Sequence, residues 1–95
     1  MKKISVHKVV GRLRSAGLQG GNQNREGFRA FQVNETTVHV LALVQDGDEV
    51  RYGTLESIKK LGYYSQILIK AGYDVVQDDY RLRVMNRDET PASES

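Results

Sequence analysis

Apolar side chains recur along this chain at two spacings, and the switches between them divide it into elements. Val6, Val9, Val10 and Leu13 stand at i, i+3, i+4 and i+7, the stripe of an amphipathic helix, so the spacing predicts a helix over residues 5–16. Ser5 stands where an N-cap hydroxyl would accept from a free first-turn amide. Gly17 follows Ala16 and suits the left-handed residue that stops a helix, with Leu18 folding back as the apolar contact after it. Gly11 falls inside the helix, where it costs about 1 kcal/mol relative to alanine. A close approach to a neighbouring element would explain it.

Residues 19–27 are a polar, glycine-rich loop, by composition the most flexible internal segment. The period then shortens to two. Residues 28–33 and 37–45 read as a β-hairpin turning at Asn34-Glu35-Thr36, with Asn34 able to take a positive φ. In the second strand Val38, Val40, Ala42 and Val44 share one face, and His39, Leu41, Leu43 and Gln45 share the other. Both faces are partly apolar, which predicts a central strand or a covered second face.

Residues 46–53 read as a loop opening Asp46-Gly47-Asp48-Glu49, and Thr54 as the cap of a helix over about 55–71. At 100° per residue, Leu55, Ile58, Leu61, Gly62, Ser65, Leu68 and Ile69 fall on one side. Gly62 and Ser65 would let that side sit close on a sheet. Gly72 ends this helix, and residues 73–77 and 80–85 read as a second hairpin turning at Asp78-Asp79. From Asn86 onward no apolar residue is larger than alanine, so residues 86–95 read as a disordered tail and residues 1–85 as one domain. The order αββαββ predicts an α+β fold: a four-stranded antiparallel sheet with both helices on one face. The two halves echo each other, each helix ending Ala-Gly before a hairpin.

Four segments carry a resemblance: Leu-Arg-Ser-Ala-Gly-Leu (13–18), Gly-Phe-Arg-Ala-Phe-Gln-Val (27–33), Val-His-Val-Leu-Ala-Leu-Val (38–44) and Ile-Lys-Ala-Gly-Tyr-Asp-Val (69–75). In these the chain resembles the small αββαβ proteins of actinobacteria and their bacteriophages. The resemblance covers most of residues 5–85 and implies a small cytoplasmic accessory protein, phage-encoded or bacterial, that acts by binding. It carries over no functional residue.

Charge and chemistry narrow the picture further. The net charge is +2, but residues 1–33 set Lys2, Lys3, Lys8, Arg12, Arg14, Arg25 and Arg29 against Glu26 alone. The end of the chain sets Arg87 against Asp88, Glu89 and Glu94. An uneven field of this kind steers polyanions toward one end, or is a solvated helix surface. The chain has no cysteine, which removes disulfide and thiolate chemistry and fits a reducing compartment. No apolar run approaches the ~20 residues of a membrane span, and the N-terminus lacks a signal-peptide pattern.

His7 and His39 stand alone, without metal-ligand spacing, so neither a metal nor a cofactor is expected. Asp46, Asp48 and Glu49 lack the twelve-residue calcium-loop pattern. Gly17, Gly20 and Gly21 lack phosphate-loop spacing and follow a helix rather than a strand. No serine pairs with a base in a nucleophile pattern, and the chain is not expected to be an enzyme.

Three surfaces remain. The first is the exposed side of the second helix, with Lys59, Lys60, Tyr63, Tyr64, Ile67 and Lys70. It suits stacked bases and phosphates, or a protein partner, unless the tyrosines merely cover the core edge. The second is the far face of the sheet, with His39, Leu41 and Leu43 beside Phe28 or Phe31. It reads as a homodimer interface or as a second core layer under a loop. The third is the basic first helix, with Lys8, Arg12 and Arg14. A protein partner is the expectation, and nucleic acid the alternative.

Overall fold

A computed structural model describes residues 3–87. Its elements run α1 (Val6–Ser15), β1 (Gly27–Asn34), β2 (Thr37–Asp46), β3 (Glu49–Arg51), α2 (Leu55–Lys70), β4 (Tyr73–Asp78) and β5 (Arg81–Asn86). The main sheet has the order β1-β2-β5-β4, antiparallel throughout, and β3 adds to β2 beyond the end of β5. Each αββ half contributes one inner and one outer strand, and the halves join where Val38 to Leu41 face Val84 to Arg81. The predicted α+β fold, with the helices packed against the sheet, is what forms.

The core is the layer between helices and sheet. Val9 and Leu13 from α1, and Leu61, Tyr64 and Leu68 from α2, meet Phe28, Val38, Val40, Ala42, Tyr73, Leu82 and Val84. These strand residues are in register with one another (Val40 opposite Leu82, Val38 opposite Val84), so they share one face, as the pleat requires. Fully burying a valine or leucine side chain is worth about 1.5–3 kcal/mol, and this layer holds most of the large buried side chains.

Several details depart from the sequence reading. Ser5 makes no side-chain cap. Instead Gln32 of β1 reaches across: its Oε1 accepts from Val6 N (2.9 Å), while its Nε2 donates to the carbonyls of Ile4 (2.9 Å) and Asn34 (2.7 Å). Asn34 does not turn the chain by a positive φ. Its Oδ1 accepts from Thr36 N (2.9 Å) and Oγ1 (3.0 Å), so the side chain shapes the turn. The second hairpin turns at Asp79-Tyr80, with Asp79 at φ 57°.

Residues 49–51, read as loop, pair with β2 as β3. The glycine-rich loop is stitched by backbone bonds, Gly21 N to Phe28 O (2.8 Å), Phe28 N to Gln19 O (3.0 Å) and Asn22 N to Arg25 O (2.9 Å). Gly11 approaches nothing: a Cβ placed there meets no atom within 4 Å. Asn86, assigned to the tail, closes β5 opposite Tyr73, and its side-chain amide donates to the Lys3 carbonyl. The tail from residue 88 lies outside the described residues.

The second helix is turned relative to expectation. Its buried row is Ser57, Leu61, Tyr64 and Leu68, whereas Leu55 is 79% and Ile69 42% exposed. A tyrosine ring offers far more apolar area than Gly62 or Ser65, so rotating the helix to seat Tyr64 is the better burial.

Candidate interaction surfaces

No helix lies over the other face of the sheet. Register places Arg29 and Phe31 of β1 beside Leu41 and His39 of β2, and these beside Arg81 and Arg83 of β5, with Val76 of β4 next in line. Val50 of β3 stands opposite Gln45, on the same side as Leu41 and Leu43. Together Arg29, Phe31, Leu41, Leu43, Val50 and Tyr52 line an apolar groove of about 360 Å³.

Leu41 and Leu43 are therefore on the expected face, but as the groove's floor. They are 9% and 7% exposed, buried within the single subunit. This corrects the expectation of two leucines presented outward. The apolar groups that do reach solvent are Phe31 (38% exposed), Tyr52 (51%), Val76 (48%) and Tyr80 (39%). The Tyr52 and Tyr80 rings lie 5.2 Å apart and tilted. The guanidinium of Arg29 sits 5.9 Å from the Phe31 ring centre, and that of Arg81 6.0 Å from Tyr80, within cation–π range.

Charges on this face are mostly paired. Asp78 holds Arg83 at 3.0 Å and Arg81 at 3.6 Å, and Asp74 holds Arg87 at 3.4 Å. His39, half-buried between Phe31 and Arg83, has its pKa lowered by burial first and then by Arg81 and Arg83, against a smaller opposing pull from Asp78. It is the neutral imidazole near neutral pH.

On the helical side the predicted set divides. Lys59, Tyr63 and Lys70 are exposed and Lys60 is half-buried. Tyr64 is not part of that surface: it is 4% exposed inside the core, its phenol pKa raised by burial and then by Glu26. Ile67 is partly buried against the core. Lys8, Arg12 and Arg14 are exposed on α1 as expected. Among the described residues, the ion pairs are held by Lys3, Arg51, Arg81, Arg83 and Arg87, and none by a cation of α1 or α2.

Sequence reading missed Val50, Tyr52 and Tyr80. The available signal was Val50 and Tyr52 in a connection read as a solvated loop, where solvation alone gives no reason for them; Tyr80, read as the first residue of a strand, carried no such signal. Among the described residues no group of three or more His, Asp or Glu could hold a metal ion, and no helix is long and apolar enough to cross a membrane. No protein-family model, curated protein or solved structure matches the chain.

Proposed function

We propose that this is a non-enzymatic interaction module that binds a protein partner across the open face of its sheet, in the simplest form a second copy of itself. The observation that carries the reading is the pair Phe31 and Tyr52, both solvent-exposed beside a groove floored by Leu41 and Leu43, with the exposed Tyr80 ring 5.2 Å from that of Tyr52. Contiguous exposed apolar groups on a small domain mark interaction sites, and tyrosine and phenylalanine are enriched at their centres. Pairing of Arg81 and Arg83 with Asp78 reduces the like-charge repulsion that two copies would otherwise meet. The cysteine-free composition suits the reducing cytoplasm, where we place its accessory role.

Light scattering and sedimentation over a concentration series test the self-associating form. The expected result is a concentration-dependent dimer that Tyr52→Asp and Phe31→Asp return to monomer with the fold intact. A protein that stays strictly monomeric at high concentration, or whose dimer ignores both substitutions, removes this reading.

A further inference from the structure

The opposite side of the molecule carries a second observation, independent of the sheet face. α1 buries Val9 and Leu13 and turns Lys8, Gly11, Arg12, Arg14 and Ser15 to solvent, with no acidic residue in the helix. Grooves run beside it. One, of about 400 Å³, is lined by Lys8, Gly11, Arg12, Ser15 and Tyr73. The other, about 710 Å³ and strongly polar, lies between Arg14 and Arg25 against the backbone of Gly20 and Gly21. Neither lining contains a carboxylate. Four cations thus border one ridge, and no ion pair among the described residues engages them.

Gly11 gives the ridge its meaning. An exposed glycine in mid-helix lowers helix stability, and nothing within the fold lies within 4 Å to require it. The surface beside Gly11 is therefore open to a ligand from outside the chain. Lys8 and Arg12, one helical turn apart, line the same groove as Gly11 and Ser15, so a ligand's backbone can lie against the small residues while both cations reach it. We propose that α1 and its two grooves bind the sugar–phosphate backbone of double-stranded nucleic acid, without sequence readout.

The chemistry favours this occupant over other polyanions. A helix that lies on an anionic membrane presents large apolar side chains to the acyl boundary, and the exposed positions of α1 offer none. A partner protein would be met by exposed aromatic or apolar anchors, whereas the apolar side chains lining the two grooves, Tyr73 and Leu18, are buried and half-buried. A convex helix with small residues at its crest and cations on its shoulders matches a duplex groove bordered by phosphates.

Fluorescence anisotropy of the full chain with a labelled random-sequence DNA duplex, over a salt series, tests the proposal. Four phosphate contacts predict a log–log salt slope of about −3 to −4, and Arg12→Ala should reduce its magnitude by about 1. Gly11→Gln should raise the melting temperature yet weaken binding several-fold, a combination that a merely structural glycine would not produce. Lys8→Ala and Arg25→Ala provide the same readout without touching the helix crest. The proposal is overturned by any of four results: no duplex binding at low salt, Gly11→Gln binding as tightly as the parent, a single strand of equal length binding at least as well, or anionic vesicles or an acidic peptide binding in the duplex's place.

Discussion

Ser57 is fully buried at the first turn of α2. Its Oγ donates to the Ala42 carbonyl at 2.8 Å and accepts from Gly53 N at 3.1 Å, while its own amide donates to Thr54 Oγ1 at 3.1 Å. One hydroxyl thus ties the helix start to the central strand and to the loop before it. A buried polar group left unpaired costs about 1–3 kcal/mol. Ser57→Ala, which strands the Gly53 amide, should lower stability by about 1–2 kcal/mol. A shifted denaturant midpoint with an unchanged slope would show it, and a neutral result would show that water replaces the hydroxyl.

Among the elements, α1 depends on a residue far from it in sequence. Gln32 caps its first turn from β1, using both ends of one amide. Gln32→Ala should therefore loosen the helix start, at a loss of about 1 kcal/mol, and hydrogen exchange at Val6 should speed up relative to Val9. If Ser5→Ala has the larger effect, the cap has been assigned to the wrong residue.

This separation explains what the chain revealed on its own. Element types and order followed from local spacing: the Val6-Val9-Val10-Leu13 stripe, the alternation through residues 38–44, and the Ala-Gly stops, where Gly17 and Gly72 adopt φ 91° and 99°. The facing of α2 did not, because residues 55–69 hold two overlapping stripes and only the sheet beneath chooses between them. β3 has a single apolar residue, Val50, among charges, and owes its existence to the edge of β2. Of the surfaces, the basic face of α1 was legible because exposure follows from helix phase. The groove was not, since it joins β1, β2 and β3 with residues beyond them.

For the whole molecule, charges from separate strands converge on His39. Its native pKa lies below the ordinary 6.5 because burial and then Arg81 and Arg83 disfavour the imidazolium. The unfolded chain therefore takes up the proton first as pH falls. Stability from this group is fully present above 6.5 and declines as pH drops through that value toward the native pKa. Denaturant titrations on either side of 6.5 should show the decline, and His39→Gln should flatten it. An equal decline in the variant would assign the effect elsewhere.

β2 pairs with β1, β3 and β5, and the last of these contacts joins residues 38–41 to residues 81–84. As the polypeptide leaves the ribosome, the greasiest strand in the molecule must wait some forty residues for the neighbour that seals its flank. Until then its unpaired amides and carbonyls can recruit other nascent chains. Swift closure by β5 therefore guards the newborn protein against clumping, and substitutions that slow it threaten yield in the cell before they threaten the finished fold.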